Sequence, residues 1–226
     1  MEQAYHWAVQ TRFRRGVCSS SRAVRRCWAA KLSASTSHLY AFVRGGGIDS
    51  GHLLPVQRTH LMLDLLCDNI ARAQEVLPVP LVLENIASIF EYPDNEMSEA
   101  KFISSLLERT DTRLLLDVAN LYANSINHRY SALDYLDALP LHRIEYLHIA
   151  GGAFVKGIYH DTHCESVTQP VLKLLQETVA RVPQVKVMLE RDGKFPPLER
   201  LSAELDAIAE ICIADNRVVG ACHRAN

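Results

Sequence analysis

The stretch that decides the fold runs from Ile144 to His163 and reads IEYLHIAGGAFVKGIYHDTH. An apolar run ends at His148, a glycine pair follows, and Asp161 and His163 come within fifteen residues of His148. The pattern predicts a buried strand that ends at His148 and a loop that returns the later side chains to the same point. Because residues two apart in an extended chain project to the same side, Asp161 and His163 can both face one metal ion. On this stretch alone, a polar loop in which the aspartate caps a helix explains the residues equally well.

The same strand-then-helix pattern recurs along the chain. Predicted strands cover Leu39–Val43, Leu81–Leu83, Leu114–Leu116, Ile144–Leu147 and Val185–Leu189. Predicted helices run from a Thr59 cap to Val76, from Glu99 to Arg109, from Ala132 to Ala138, from a Thr168 cap to about Ala180 and from Pro196 to about Ile213. A polar loop is predicted from Ala119 to Arg129. Continuously apolar strands are typical of parallel strands covered on both faces, so the sequence predicts an α/β fold of parallel βα repeats.

Such repeats build either an open doubly wound sheet or a TIM barrel. The sequence contains no GxGxxG or GxxxxGKS loop. The nucleotide-binding version of the open sheet is therefore disfavoured.

Four consecutive predicted strands end in a potential metal ligand. These ligands are Glu84, Asp117, His148 and Glu190. The carboxyl ends of the strands of a parallel barrel open onto one face, so the four side chains would converge there with Asp161 and His163. Each acid by itself is explained by solvation or by a helix cap. Burying six such groups together is costly unless cations neutralise them.

The mixture of donor atoms indicates the kind of metal. Carboxylates and imidazoles without a thiolate suit iron, manganese or zinc better than copper(I), and six ligands exceed what one tetrahedral zinc ion takes. We therefore expect two or more metal ions. Asn120, Asn127 and His128 are weaker candidates, since such residues more often form turns or support a ligand.

Composition is that of an ordinary globular protein. The chain has 226 residues, of which 48% are hydrophobic, and its mean hydropathy is -0.03. No apolar run approaches the roughly 18 residues that a membrane span needs. The six cysteines form no CxxC pair, which excludes zinc-ribbon and thioredoxin signatures. Scattered cysteines without a signal peptide predict a location in the reducing cytoplasm.

The net charge of -2 is unevenly distributed, because seven Lys or Arg residues and one acid lie in residues 1–36. Such a segment could bind nucleic acid or act as an organellar transit peptide. We interpret it instead as an irregular start, and we expect no nucleic-acid or membrane partner. The predicted organisation is an irregular basic segment 1–36, a TIM-barrel-like metal-binding domain 37–215 and a C-terminal tail 216–226.

Several uncommon motifs occur in order between Ser37 and Ile213. They are GHLLP (51–55), LVLENI (81–86), LLLDVANLY (114–122), NH (127–128), YLDALPL (135–141), HIAGG (148–152), YHDTH (159–163), LERD (189–192) and FPPL (195–198). In these motifs the chain resembles the multinuclear non-haem iron-dependent oxidative enzymes, formerly domain of unknown function 692. The resemblance implies a TIM-barrel enzyme that holds two or three irons. Such an enzyme uses dioxygen to oxidise residues, commonly cysteines, in ribosomally made precursor peptides.

The resemblance also implies a set of ligands and partners. The iron ligands would be Glu84, Asp117, His148, Asp161, His163 and Glu190, with Asn120 contributing. The substrate would be a peptide, often presented by a partner protein. The resemblance assigns no organic cofactor, and we assign no catalytic residue apart from the ligands.

The chain departs from the family pattern near its beginning. Only 38 residues precede Leu39, where family members have three further strands, so we expect an incomplete barrel of about five βα units. Its open edge could be covered in a homodimer. His38 stands one position early for a ligand, and a one-residue slip reverses the face of a strand side chain. Cys164, directly after the YHDTH motif, could be an adventitious ligand.

Two alternative functions stay open at this point. The first is a divalent-metal isomerase or hydrolase on a similar barrel, which needs the same ligands at the strand ends but consumes no oxygen. The second is a truncated, inactive barrel.

Overall fold

The computed structural model describes residues 36–39, 41–45 and 48–222, which fall into two compact units. The first unit comprises the described residues up to Ile86 together with Tyr92–Leu114, and the second comprises Ala87–Glu91 and the chain from Leu115 onward. Apart from Thr36, the predicted basic segment lies outside the described residues, as does the side chain of His38. The described ranges contain no helix with the length and hydropathy of a membrane span.

The first unit combines parallel strands, a hairpin and two helices. Its elements are β1 (Thr36–Leu39), β2 (Phe42–Gly45), β3 (Ile48–Leu54), α1 (His60–Val76), β4 (Leu81–Glu84) and α2 (Glu99–Thr110). Strands β1 and β4 are parallel, with Leu39 opposite Glu84. Strands β2 and β3 are antiparallel.

The prediction of one strand over Leu39–Val43 followed by a loop is wrong. Strand β1 ends at Leu39, and β2 pairs with β3 so that Arg44 lies opposite Asp49. The sequence interpretation places Gly45–Gly47 in a loop after the strand, whereas successive glycines are equally typical of a turn between two paired strands.

Local capping signals place both helices of the first unit where they were predicted. The Thr59 hydroxyl accepts the Met62 N–H at 3.1 Å, and the Ser98 hydroxyl caps α2 in the same way. The buried face of α2 contains Phe102, Ile103, Leu106 and Leu107. The starts of α1 and α2 are thus predicted correctly, because each depends on a cap between residues three positions apart.

The second unit contains the remaining elements. In chain order they are β5 (Arg113–Asp117, in this unit from Leu115), α3 (Val118–His128), α4 (Ala132–Asp137), a 3-10 turn (Leu141–Arg143), β6 (Ile144–Ile149), β7 (Gly151–Val155), β8 (Ile158–Glu165), α5 (Gln169–Arg181), β9 (Lys186–Leu189) and α6 (Leu198–Cys222). Within this unit β5, β6 and β9 follow one another in a sheet, and β6 is parallel to β9. The predicted α/β class of parallel βα repeats is confirmed.

Three predictions about the second unit are wrong. The polar loop predicted from Ala119 to Arg129 is the helix α3, and the loop predicted after the glycine pair is the antiparallel hairpin of β7 and β8. Helix α6 continues to Cys222, beyond its predicted end at about Ile213. In α3 the polar Asn120 and Asn124 are buried, so their polarity reflects tertiary contacts rather than a solvent-exposed loop.

Candidate metal centre

Asp117 caps a helix and also faces the candidate metal site, two explanations that the sequence presented as alternatives. Its Oδ1 accepts the N–H groups of Ala119 at 2.8 Å and Asn120 at 3.0 Å, which caps helix α3. Its Oδ2 lies 3.5 Å from His163 Nε2. The side chain is fully buried. One carboxylate therefore caps the helix with one oxygen and faces the candidate site with the other.

The parallel register of β6 and β9 brings His148 and Glu190 together. Ile149 lies opposite Leu189, and the N–H of Glu190 donates to the carbonyl of Ile149 at 2.9 Å. As a result His148 Nδ1 is 3.0 Å from Glu190 Oε2. Asp117, His148 and Glu190 each offer a ligand atom within 4.8 Å of the others.

The β7–β8 hairpin supplies the other two predicted ligands of this unit. Asp161 Oδ2 is 2.5 Å from His163 Nε2, and His163 Nδ1 is 3.1 Å from Glu190 Oε2. The backbone of His163 has a positive φ of 51°, a conformation that costs a non-glycine residue on the order of 1 kcal/mol. The N–H of Asp192 donates to the His163 carbonyl at 2.8 Å and so helps to hold this conformation.

The structure adds one acid that the sequence analysis did not choose. Asp192 offers a ligand atom within 4.8 Å of atoms from His163 and Glu190, which makes a second group that could hold a metal ion. Its signal was present in the LERD motif, since an acid two residues after Glu190 repeats the spacing of Asp161 and His163.

The remaining sequence candidates are Asn120, His128, Cys164 and Glu84. Asn120 is buried in the first turn of α3, and its role as a ligand stays a prediction. His128 is not in either group, and its Nε2 contacts the carbonyl of Ser88 at 2.8 Å. Cys164 is not in a group either. Glu84 ends β4 in the first unit and is largely buried there, and its role as a ligand stays a prediction.

Asn127 holds the hairpin rather than facing the site. Its Nδ2 donates to the Tyr159 carbonyl at 2.8 Å, and its Oδ1 accepts the Tyr159 N–H at 2.9 Å. The Tyr159 hydroxyl in turn accepts the N–H of Gly152 at 3.1 Å. The Asn127 amide thus pairs with the backbone N–H and carbonyl of Tyr159 as a neighbouring strand would. Tyr159 lies on β8, the strand that carries Asp161 and His163.

Asn127→Asp is expected to destabilise the protein by about 1–3 kcal/mol, because it replaces the donor by a carboxylate oxygen that faces the Tyr159 carbonyl. Urea unfolding measures the loss. Asn95→Asp is the matched control, since Asn95 Oδ1 accepts the Arg58 N–H at 2.8 Å and an aspartate keeps that bond. Equal stability of the two variants would contradict the prediction.

The charges of the site shift two pKa values in opposite directions. Burial, the largest single effect, lowers the pKa of His163. Hydrogen bonds to Asp161 and Glu190 and the negative charges of Asp161 and Asp117 outweigh it and raise this pKa to about 11. Burial raises the pKa of Glu190, but hydrogen bonds and charge from His148 and His163 hold it far below its ordinary value. An ionised carboxylate and a protonated imidazole are therefore paired in the protein without metal.

The donor set fits a divalent cation. Asp117, Asp161 and Glu190 contribute three carboxylates against two imidazoles, an excess of negative charge that is costly in a buried place. Asp161 Oδ1 is buried and has no hydrogen-bond partner among the described residues. Oxygen and imidazole donors of this kind suit iron, manganese or zinc.

Binding of a divalent metal at pH 7 is expected to release about one proton per chain. His163 is protonated at this pH because its pKa lies near 11, and a metal binds only the neutral ring. Raising the pH toward that value removes the competing proton, so the apparent affinity should rise by up to about tenfold per pH unit. Calorimetry in buffers of different ionisation enthalpy counts the protons. His163→Asn is the control, and binding to the unaltered protein without proton release would contradict the prediction.

With this geometry established, sequence comparison identifies relatives. A protein-family model described as "RiPP precursor modification enzyme MbnB/TglH/ChrH" matches residues 19–213. The chain belongs to this family. The resemblance found in the motifs is therefore confirmed, and the cluster of acids and histidines that could hold a metal lies within the matched residues.

Two UPF0276 proteins share substantial identity with the chain. A UPF0276 protein of Streptomyces avermitilis is 47% identical over 180 residues, which are 76% of this chain and 37% of that protein. A UPF0276 protein of Caulobacter vibrioides is 39% identical over 160 residues, which are 71% of this chain and 57% of that protein. The chain thus spans about a third to three fifths of the length of these relatives.

Among solved structures, the chain is similar to the apo crystal structure of the 3-keto-D-glucoside 4-epimerase YcjR from E. coli. The TM-score is 0.44 at 16% identity, and the match covers 77% of this chain and 62% of that one.

Proposed function

We propose that the chain carries the metal-binding part of an enzyme that uses iron and dioxygen to oxidise a cysteine in a ribosomally made precursor peptide. The observation that carries the proposal is the buried arrangement of Asp117, His148, Asp161, His163 and Glu190 in one unit of a RiPP precursor modification enzyme. Membership in this family supports a peptide as the substrate.

The residues of the site would hold and orient the metal. Asp117, His148 and Glu190 come from strand ends, and the hairpin adds Asp161 and His163. Bound iron would supply the electrons for reduction of dioxygen. The group of His163, Glu190 and Asp192 shares two residues with the rest of the site and would hold a neighbouring ion. With Glu84 and Asn120 as further ligands, the site would hold two or three irons.

The proposal extends to the setting of the reaction. A partner protein would present the peptide, and the reducing cytoplasm would keep the substrate cysteine as a thiol. Neither nucleic acid nor a membrane would take part.

Anaerobic reconstitution with Fe(II) tests the metal. We expect at least two irons per chain by elemental analysis and a mixed-valent spectroscopic signal after partial oxidation. Asp117→Asn, which removes one anionic oxygen donor, is expected to hold less iron. A preparation that takes up only zinc or manganese would contradict the proposal.

Oxygen consumption tests the reaction. The iron-loaded protein should consume dioxygen faster with a cysteine-containing peptide than with the same peptide carrying serine, and mass spectrometry should show a changed peptide mass. A divalent-metal isomerase or hydrolase would convert its substrate without consuming oxygen. Conversion of a substrate at an unchanged oxygen concentration would therefore favour that alternative.

A further inference from the structure

A buried ion pair between Arg191 and Glu204 lies next to residues of the candidate metal centre. Arg191 follows Glu190 in sequence, and its guanidinium NH2 is 2.5 Å from Glu204 Oε2 on α6. The two side chains are 7% and 13% exposed. A pair this buried is costly to desolvate and is a weak source of stability by itself, so its contacts require another explanation.

The contacts of the pair converge on the end of β8. Arg191 NH1 donates to the carbonyl of Cys164 at 2.9 Å, and Glu204 Oε1 accepts the N–H of Val167 at 2.7 Å. The N–H of Asp192 donates to the carbonyl of His163 at 2.8 Å. Two of these hydrogen bonds join the segment after β9 to His163 and Cys164, and the third joins helix α6 to Val167.

These connections join two segments that carry ligands and are far apart in sequence. His163 is on the hairpin, and Glu190 and Asp192 lie on either side of Arg191. The separation between His163 and Glu190 depends on how these two segments are held, because His163 adopts an uncommon positive φ. Some hydrogen bonds do not involve the metal but hold the metal-binding residues in place. Removing such a bond typically lowers the metal affinity about ten- to hundredfold.

We infer that Arg191 and Glu204 are positioning residues that hold the end of β8 and the segment after β9 at the separation required by a shared metal ion. The inference rests on the proposed function only in that a divalent metal binds to the site. Neither residue is a ligand, and neither touches the substrate in this assignment.

Mn(II) alone is a suitable probe, because it binds oxygen and imidazole donors and its free concentration is read by electron paramagnetic resonance. Arg191→Met is expected to weaken Mn(II) binding by about ten- to hundredfold. Arg181→Met is the matched control in the same unit, since Arg181 forms ion pairs with Asp137 and Glu177 that do not contact the site. This control should change the affinity less than about twofold.

A second set of variants separates positioning from simple stability. The double variant Arg191→Met with Glu204→Met removes both charges, so the folded protein without metal should be more stable than Arg191→Met, which leaves the charge of Glu204 buried and unpaired. Its Mn(II) affinity should nevertheless stay low, and the line shape of the bound Mn(II) should change. Arg191→Lys keeps the charge with a single donor group and should recover part of the affinity. Glu204→Gln keeps an acceptor for the Val167 N–H and provides a milder test if Arg191→Met does not fold.

The outcomes distinguish this inference from the proposed function. Mn(II) affinity within about twofold of the unaltered protein in the double variant and in Glu204→Gln would overturn the positioning role. An unaltered protein that binds no Mn(II) would overturn the inference and the proposed metal site together. Normal Mn(II) binding without oxygen consumption after iron loading would count only against the proposed reaction.

Discussion

Asp117→Asn is expected to lower the affinity for a divalent metal more than about hundredfold, which exceeds the usual effect of residues that only support a ligand. The substitution replaces the anionic oxygen that faces His163 by a neutral amide group. It leaves the cap of α3 in place, because asparagine and aspartate cap helices about equally well. The measurement is competition with a metal-sensitive dye under anaerobic conditions.

Asp117→Ala separates the two roles of this side chain. It removes the metal donor and also the hydrogen bonds to the N–H groups of Ala119 and Asn120. Without metal, the alanine variant should therefore be about 1 kcal/mol less stable than the asparagine variant. Both variants should show the same loss of metal affinity. A metal affinity of Asp117→Asn equal to that of the unaltered protein would exclude Asp117 as a ligand.

Gly151→Ala is expected to destabilise the protein by about 1–3 kcal/mol or more and to abolish tight metal binding, because it forces apart the two ends of the hairpin. A Cβ at Gly151 would lie 2.1 Å from the carbonyl oxygen of Glu165 and 2.3 Å from that of Ser166. Both contacts are with backbone atoms, so no side-chain rotation relieves them. The displaced strand, β8, carries Asp161 and His163.

Gly157→Asn is the control for the hairpin. Gly157 lies in the turn between β7 and β8, where a Cβ would meet no atom within 4 Å. Its φ of 83° is in the left-handed region, which asparagine tolerates better than most residues. We expect a small loss of stability and unchanged metal affinity. Thermal unfolding and metal titration measure both effects, and tight metal binding by Gly151→Ala would contradict the proposed role of the hairpin.

The ends of the strands in the second unit were predicted closely from the sequence. Strand β5 ends at Asp117, and Glu190 follows directly after β9. These positions were readable because a short apolar run bounded by polar residues marks where a buried strand leaves the core. The helix start at Thr59 was predicted for a similar reason, because its hydroxyl caps a residue within one turn. Helix α5 also begins after Thr168 as predicted, but the Thr168 side chain makes no capping hydrogen bond.

The missed features depend on contacts between distant residues. Asn127 was taken for a loop residue, but it lies at the end of α3 and hydrogen bonds to Tyr159, 32 positions away. The pairing of β7 with β8 determines that Asp161 and His163 return to the strand ends. A run of polar residues reads the same whether it is solvent-exposed or satisfied by such distant partners, so polarity alone predicted a loop.

By itself, the sequence determined the α/β class, the family and the approximate strand ends at Asp117, His148 and Glu190. The class and the strand ends follow from local apolar periodicity and from residue types at the boundaries of each run, whereas the family follows from the resemblance in the motifs. Only the tertiary structure decided that Asp117 both caps α3 and faces His163, that Asp192 joins the site, and that Arg191 and Glu204 lie behind it. The physical reason is that each of these roles depends on the direction of a side chain relative to a segment that is remote in sequence, which periodicity does not encode.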